Sequence, residues 1–367
     1  MMLEQALTEE IAIKALQDFF REKPFLFFGS GLSCALDSRF GMDALTETLF
    51  DNIKIYSLNY EQKEEWAKVE ILLQNGHDLE SALNDVKDHD LLDIIADIAG
   101  SFMVPLDREY SYRIANNQVK WPATHFLMKL VDTLPEGDRI LHAMTPNYDM
   151  LFEYACDSAG IVYSNGFIGG IEKKLDWDAV DRSLLLPENV KKHRRFKKIF
   201  RYCKHVRLYK VHGSLNYFFH RNSVIENDAW MWEPPNYAQR VIITPGLSKY
   251  EKLQYYRQEL LKFADKAIEK SSNFLFIGYG FNDKHIEEYI KRKLITQSCK
   301  GLIITRDCNP RIESLLSNSS NLWLVCKSQD EKSDFTSIYN KQYSNWLSIS
   351  DKRLWDVREF TNHVLGG

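Results

Sequence analysis

The stretch that decides the fold is Phe25-Leu26-Phe27-Phe28-Gly29-Ser30-Gly31-Leu32-Ser33. Its first four residues form a short, continuously apolar run, which is typical of a strand buried on both faces in a parallel sheet. The glycines that follow allow a tight turn from strand to helix and a close approach of the backbone to a phosphate. Position 34 is Cys, so the strict pattern Gly-x-Gly-x-x-Gly is not met. This motif by itself leaves a phosphate-binding turn and a purely structural turn equally open.

Similar apolar runs recur along the chain and predict further buried strands. They are Ile140–Met144, Val206–Val211, Val241–Ile243, Phe274–Ile277, Leu302–Ile304 and Leu322–Val325. Helical patterns lie between several of them, as at Met150–Ala159, Tyr255–Glu269 and Asp283–Leu294. Strands that alternate with helices predict an α/β fold with a doubly wound, mostly parallel Rossmann-like sheet. Ligands of such sheets bind beyond the carboxyl ends of the strands, so the residues just after these runs are expected to line a pocket.

Residues 42–135 interrupt this alternation and have mostly helical apolar spacing. The predicted helices are Ala44–Ile53, Glu61–Leu73, Leu79–Ile98 and Pro122–Leu134, the last with Pro122 in its first turn. We therefore expect a helical insertion at 42–135 that caps the pocket, a core formed by residues 20–41 and 136–330, and a C-terminal extension at 331–367. Residues 161–205 and 216–238 are expected to be loop-rich.

Composition and charge limit the classes of function. The chain has 367 residues with a formal net charge of -4, which argues against a dedicated polyanion-binding protein but not against a local basic patch. Such a patch exists between Lys191 and Arg207, which contains nine Lys or Arg residues. A charge run of this kind most often forms the solvated face of a helix. An acidic protein partner and nucleic acid are the alternatives.

Targeting and metal signals are weak. Residues 1–22 lack the basic start and unbroken apolar core of a signal peptide, and no apolar run approaches the roughly 18–20 residues needed to cross a bilayer. We therefore expect a cytoplasmic protein without membrane contact. The six cysteines are scattered singly without close pairs, which predicts free thiols and no metal site.

Three further motifs place polar side chains directly after predicted strands. Thr145-Pro146-Asn147-Tyr148-Asp149 supplies an Asn and an Asp, although both residue types are also common helix caps. Val211-His212-Gly213-Ser214 supplies a His, a residue that is often structural at such a position. Gly278-Tyr279-Gly280-Phe281-Asn282-Asp283 is a second glycine-rich turn, which is also compatible with simple helix capping. Because the strands are predicted to be parallel, all four motifs are expected at one edge of the sheet.

In their order and spacing these motifs resemble the NAD-binding core of sirtuins. They are more similar to the bacterial SIR2-like NADases of anti-phage defence than to protein deacylases, and the resemblance covers roughly residues 20–310. It implies a catalytic His212, with Asn147 and Asp149 at the nicotinamide ribose. It further implies NAD contacts from Gly29, Ser30, Gly31 and Ser33 at the phosphates and from Gly278, Tyr279 and Gly280 near the adenosine half.

The sequence also departs from the sirtuin pattern. Sirtuin deacylases carry four zinc-binding Cys in two close pairs, which this chain lacks, and Pro146 stands where the family usually has Gln. The resemblance therefore implies an NAD glycohydrolase with NAD as substrate and no metal, acting in antiviral defence. A non-catalytic NAD or ADP-ribose sensor or assembly subunit and a zinc-less deacylase are alternatives. Related systems further imply a homo-oligomer and, in some cases, a HerA-like ATPase partner.

Overall fold

The computed structural model describes residues 5–192, 195–242, 251–282, 284–296, 299–328 and 334–366, and these residues form 13 α-helices and 16 β-strands. The strands are β1 Phe25–Phe28, β2 Ile140–Thr145, β3 Tyr163–Ser164, β4 Phe167–Gly169, β5 Lys173–Leu175, β6 Leu185–Lys192, β7 Arg195–Tyr202, β8 His205–Lys210, β9 Gly213–His220, β10 Ser223–Glu226, β11 Gln239–Ile242, β12 Asn273–Ile277, β13 Lys300–Thr305, β14 Leu322–Lys327, β15 Thr336–Asn340 and β16 Leu347–Ile349. The helices are α1 Glu9–Phe19, α2 Ser30–Cys34, α3 Met42–Asn52, α4 Tyr60–Gln74, α5 Leu79–Leu83, α6 His89–Ala115, α7 Thr124–Asp132, α8 Leu151–Ala159, α9 Trp177–Ser183, α10 Glu251–Lys270, α11 Lys284–Thr296, α12 Pro310–Asn318 and α13 Val357–Val364.

The largest sheet of the described residues has nine strands in the order β16-β15-β14-β13-β12-β1-β2-β8-β3. The strands from β14 to β3 are parallel, and only β15 and β16 at one edge run antiparallel. From β8 to β14 the strands follow the third-second-first-fourth-fifth-sixth order of a dinucleotide-binding Rossmann fold, if these six are numbered along the chain. The predicted doubly wound α/β fold is thereby confirmed. Between β1 and β12 the order in which the chain adds strands to the sheet reverses, and such sheets open their ligand crevice at this point.

The sheet is covered on both faces, which explains why its central strands are continuously apolar. All four residues of β1 are buried, and the Phe27 and Phe276 rings of neighbouring strands stack at 4.9 Å. On one face Phe28 packs edge-on against Trp121 and at a tilt against Phe152 of α8. Burial of such large aromatic side chains contributes roughly 2–3 kcal/mol each, so the predicted strands are strongly determined by their composition.

Residues 42–135 are mostly helical, as predicted, but two helix boundaries differ. The segment Leu79–Ile98 is not one helix: α5 ends at Leu83, and α6 begins at His89 because Asp88 accepts a hydrogen bond from the Leu91 amide at 2.8 Å. The helix then runs on to Ala115 with Pro105 inside it. Pro122 lies outside its predicted helix, since α7 begins only at Thr124. Local capping by Asp88 explains the start of α6, whereas α7 begins without a side-chain cap.

The largest error in the sequence interpretation concerns residues 161–205 and 216–238, which the sequence predicts to be loop-rich. Instead, β4 and β5 from the first range and β10 from the second pair with β9 and β11 in a five-stranded sheet. Its strand order is β11-β9-β10-β5-β4, with antiparallel pairing throughout. Val241 and Ile242 belong to this sheet through β11, and not to the main sheet, because a short apolar run fits either environment. Ile243 and the following Thr244-Pro245-Gly246 lie outside the described residues.

The basic run is also not helical. Residues 185–192 and 195–202 form the antiparallel pair β6–β7, which is a separate two-stranded sheet. Alternating β-branched and aromatic residues such as Val190, Ile199 and Phe200 favour strands over a helix. Lys191, Lys197 and Lys198 are exposed, as expected for a solvated charged surface, but Arg207 lies in β8 and is only 9% exposed. The predicted helical form is wrong.

Candidate functional site

A cleft lies beyond the carboxyl ends of β1, β2, β8 and β12, where the predicted motifs meet. About 800 Å³ of space outside the protein atoms lies within it, including open solvent at its mouth. It is lined by Gly29, Ser30, Phe40, Met42, Leu45, Glu80, Met103, Pro146, Asn147, Tyr148, Asp149, His212, Tyr279, Gly280 and Asn282. All four sequence motifs therefore contribute to one cavity.

The floor of the cleft is formed by the two glycine-rich turns, which contact each other through their backbones. The Gly29 amide donates to the Ile277 carbonyl and the Gly31 amide donates to the Gly278 carbonyl, each at 3.0 Å. A Cβ atom on Gly29 would lie 2.2 Å from the Gly278 oxygen, and one on Gly31 would lie 2.9 Å from it. Gly278 also has a φ of +58°, which favours glycine. The close approach of the two turns thus requires glycine at Gly29 and Gly278 even without a ligand.

Asn147, Ser33 and Asp149 form a directed hydrogen-bond chain beside these turns. The Asn147 Nδ2 donates to the Gly29 carbonyl and to the Ser33 Oγ, both at 3.2 Å. The Ser33 hydroxyl in turn donates to the Asp149 Oδ2 at 2.8 Å. A carbonyl oxygen can only accept, so the contact with Gly29 fixes which end of the amide points toward the turn. Within the described part of the chain no donor bonds to Oδ1 of Asn147.

The segment that carries Asn147 and Asp149 is held from several elements. The backbone N–H of Asn147 donates to the Thr145 Oγ1 at 3.1 Å. The backbone N–H of Leu215, near the start of β9, donates to the Tyr148 carbonyl at 3.1 Å. Lys210 at the end of β8 donates to the Asp149 carbonyl at 2.5 Å. A segment with this many backbone partners presents its side chains in a fixed orientation.

Buried charges surround this segment on the side away from the cleft. Lys210 and Glu153 are 1% and 2% exposed, and their Nζ and Oε1 atoms lie 2.9 Å apart. Burial raises the pKa of Asp149, an effect that the Lys210 ammonium and the Ser33 hydrogen bond oppose. Burial raises the pKa of Asp107 on α6 to about 7. Asp107 accepts hydrogen bonds from the Met150 amide at 2.7 Å and from the Tyr154 hydroxyl at 2.9 Å.

His212 lies between β8 and β9, buried to 8% exposure, and its position in the cleft depends on the residue that follows. Gly213 has a φ of +85°, and a Cβ atom there would lie 2.0 Å from the Val241 carbonyl oxygen. Only glycine therefore permits the turn that brings the His212 side chain to the cleft and starts β9 against β11.

The predicted site residues divide into two groups in the structure. Most of them line the cleft, namely Gly29, Ser30, Asn147, Asp149, His212, Tyr279 and Gly280. Gly31, Ser33 and Gly278 lie behind this surface, where they join the two turns and orient Asn147. Asp149 reaches the cleft, but its carboxylate is bonded to Ser33 and to the Leu151 amide at 3.2 Å. The alternative interpretation of Asp149 as a local cap is therefore also supported.

Sequence reasoning missed the apolar wall and a cation at the mouth. Phe40, Met42, Leu45 and Met103 line the cleft from the segment between β1 and β2, and their apolar spacing resembled that of any buried helix face. Arg311 on α12 donates to Asn282 and forms an ion pair with Asp78 at 3.0 Å. Its only sequence signal was its position directly after Asn309-Pro310, a helix start that follows β13.

The sheet order and the glycine-rich turns at its switch point define an α/β protein built like the nucleotide-binding Rossmann folds. Residues 142–301 match the family model of a SIR2-like domain, which is less than half of the chain and extends from β2 to the start of β13. A SIR2-like domain implies NAD-related activity, and the family consists of NAD-consuming enzymes. No curated protein matches the chain.

The described residues offer neither a membrane-spanning helix nor a metal-binding cluster. None of their helices is both long and apolar enough to span a membrane. Nor does this part of the chain contain a group of three or more His, Cys, Asp or Glu side chains placed to bind a metal ion. The six cysteines are all free, and three of them, Cys156, Cys299 and Cys326, are buried.

Proposed function

We propose that the protein is an NAD glycohydrolase that cleaves NAD to nicotinamide and ADP-ribose. The observation that carries the proposal is the meeting of Asn147 and His212 in one cleft at the switch point of a sheet whose later part matches a SIR2-like domain. NAD enters as substrate, with its phosphates at the turn Gly29–Ser30 and its adenosine half toward Tyr279 and Gly280. Arg311 contacts the lining residue Asn282, and its charge is paired with Asp78.

The chemistry asks for positioning more than for acid catalysis. Nicotinamide leaves as a neutral molecule because its ring carries the positive charge in NAD, so no group has to protonate it. The site must instead hold the ribose, stabilise an oxocarbenium-like transition state and place a water molecule. A preorganised amide and an imidazole suit these tasks because neither has to reorganise during the reaction.

Asn147 orients the ribose or the attacking water. Its Nδ2 is occupied by Gly29 and Ser33, so its Oδ1 is the end available to accept a hydrogen bond from a ribose hydroxyl or from water. Ser33 and Asp149 continue the chain and hold the amide in this orientation. In this proposal Asp149 supports the charge and geometry of the site from behind.

His212 acts as the base, either by polarising a ribose hydroxyl or by taking a proton from water. The apolar side chains of Phe40, Met42, Leu45 and Met103 restrict water on the opposite wall. We propose on this basis that residues 42–135 are an insertion that caps a core formed by 20–41 and 136–330, with 331–367 as an extension.

The test is chromatographic analysis of NAD incubated with the purified chain in the absence of peptide. We expect nicotinamide and ADP-ribose from the wild type. Asn147→Ala and His212→Ala are each expected to slow their release by about 100-fold or more. The matched controls Asn318→Ala and His125→Ala replace exposed residues on α12 and α7 and should retain wild-type rates. Wild-type rates in folded Asn147→Ala and His212→Ala would refute the proposal.

The same assay separates the alternatives. A sensor or assembly subunit would bind NAD or ADP-ribose without forming product, and would still form none when a HerA-like ATPase is added. A zinc-less deacylase would release nicotinamide only when an acylated peptide is added. We further propose a cytoplasmic homo-oligomer that acts in antiviral defence, switched by assembly or by a HerA-like ATPase. A monodisperse monomer with full activity alone would contradict this last proposal.

A further inference from the structure

The feature outside the cleft with the most unusual chemistry is the basic hairpin, which we define as β6 and β7, residues 185–192 and 195–202. Its strands are hydrogen-bonded to each other as a two-stranded sheet, while the other described strands belong to the two larger sheets. In sequence these strands contain six Lys or Arg residues and one acidic residue, Glu188, in a chain whose net charge is -4. The ribbon therefore carries a local excess of positive charge.

The positive charge of the basic hairpin is partly neutralised near Glu188 and Arg201, but not at Lys191, Lys197 and Lys198. Glu188 pairs with Arg139 at 2.5 Å and with Arg201 at 3.6 Å. The single acidic residue of the hairpin is therefore already paired with these two arginines. Lys191, Lys197 and Lys198 are exposed and form no ion pair with any residue that the structure describes. Cations that the fold leaves unpaired are available to an anionic partner.

Exposed phenylalanines accompany these lysines. Phe196 and Phe200 are 74% and 61% exposed, so neither side chain contributes much to the stability of the fold. Side chains alternate across a strand, which places Phe196, Lys198 and Phe200 on one face, with Lys191 opposite Phe196 on that same face. Successive positions on the face are about 6.7 Å apart. The Lys198 ammonium lies 5.7 Å from the centre of the Phe200 ring.

An alternation of aromatic rings and cations matches the chemistry of an unpaired nucleic-acid strand. Exposed rings stack on unpaired bases without regard to sequence, and lysines between them contact the phosphates. In a duplex the base faces are already stacked, and an acidic protein surface satisfies the lysines but offers no faces to the rings. We propose that the basic hairpin is a docking surface for single-stranded nucleic acid, DNA or RNA. This inference is independent of NAD cleavage, because its readout is binding.

The test uses the full-length protein and fluorescence anisotropy of a labelled oligothymidine of about 16 nucleotides. We expect saturable binding that weakens steeply between about 50 mM and about 200 mM salt. The combined substitution of Lys191, Lys197 and Lys198 by Ala should weaken binding at least tenfold and reduce the dependence of log K on log salt by about two. Lys14, Lys63 and Lys68, exposed on α1 and α4, provide the matched triple-Ala control, which should bind as wild type.

The aromatic variant distinguishes docking from simple charge attraction. Phe196→Ala with Phe200→Ala removes two exposed rings, so folding is not at risk, and it should weaken binding at least tenfold while leaving the salt dependence unchanged. An oligouridine strand in place of oligothymidine separates RNA from DNA, and either result supports the proposal. Absence of binding at low salt, unchanged binding by the phenylalanine variant, a preference for duplex DNA, or equal binding to phosphatidylserine vesicles would overturn it.

Discussion

Asp107 is a carboxylic acid in a fully buried position, 0% exposed, at the contact between α6 and the segment that carries Asn147. Its two oxygens accept hydrogen bonds from the Met150 amide and the Tyr154 hydroxyl. Burial, with a further contribution from the Asp149 carboxylate, raises its pKa from 3.8 to about 7. Asp107 therefore links α6 to the segment that carries Asn147, and its contribution to the free energy of unfolding depends on pH.

We predict that Asp107 makes the protein less stable as the pH rises from about 4 to about 7. Within this window the folded protein holds a proton that the unfolded chain has released, so stability falls with pH at up to about 1.4 kcal/mol per pH unit. Asp107→Asn keeps an acceptor for the Met150 amide and removes the titration. Urea unfolding of both proteins across this range measures the difference. If the free energies of unfolding of wild type and variant changed in parallel with pH, the prediction would be contradicted.

Ser33 matters for the direction of the hydrogen bonds that orient Asn147. It accepts from Asn147 and donates to Asp149, which only a hydroxyl can do in this place. The family resemblance implied a phosphate contact for Ser33, but its hydroxyl is bonded to the side chains of Asn147 and Asp149 behind the cleft. Its contribution to the proposed activity therefore acts through the orientation of Asn147.

At the scale of elements, the site depends on the contact between the turn after β1 and the turn after β12. These turns approach so closely that backbone atoms occupy the space of any side chain at Gly29. The contact joins the first strand to one from much later in the chain, since Phe28 and Ile277 are paired in the parallel register. The cleft floor is thus a product of sheet order as well as of local turn chemistry.

Gly29→Ala is expected to destabilise the protein by about 3 kcal/mol or more, because the added methyl would lie 2.2 Å from the Gly278 oxygen and 2.6 Å from the Tyr279 Cα. The matched control is Gly137→Ala, where no atom lies within 4 Å of the added carbon and the change should stay within about 0.5 kcal/mol. Urea unfolding followed by circular dichroism compares the two. Equal stability of the two variants would show that the turns can separate without cost.

At the scale of the whole molecule, one cavity collects residues from regions that are distant in sequence. Its lining comes from the turn after β1, the helices after it, the segment after β2, the β8–β9 connection and the turn after β12. A ligand that contacts all of these regions stabilises the entire fold and not only one domain. Binding is therefore expected to appear in global unfolding.

We predict that saturating NAD raises the thermal midpoint of the His212→Ala variant by about 3 °C or more. This variant is chosen because it should bind NAD without consuming it during the scan. Differential scanning fluorimetry measures the shift, with ATP at the same concentration as a control for general anion binding. If NAD and ATP gave the same shift, the cleft would not be an NAD site.

Much of the core was determined by the sequence itself. The strands β1, β2, β8, β12, β13 and β14 were predicted because each is a short apolar run that can be stable only when both faces are covered. The parallel arrangement then placed Asn147, His212 and the two glycine-rich turns at one edge. The apolar character of each run and the position of each motif directly after a run can both be read from the sequence, and they were sufficient for these predictions.

Only the tertiary structure decided the rest. Val241 joined the small sheet, and the basic run was divided between the β6–β7 hairpin and β8 of the main sheet, because strand partners are chosen by distant residues and not by the run itself. The roles of Asp107, Arg311 and the apolar wall at Phe40 and Met103 depend on contacts between elements far apart in the chain. A sequence pattern records the periodicity of one element, whereas the site is defined by distances between several, and those distances exist only after the sheet has formed.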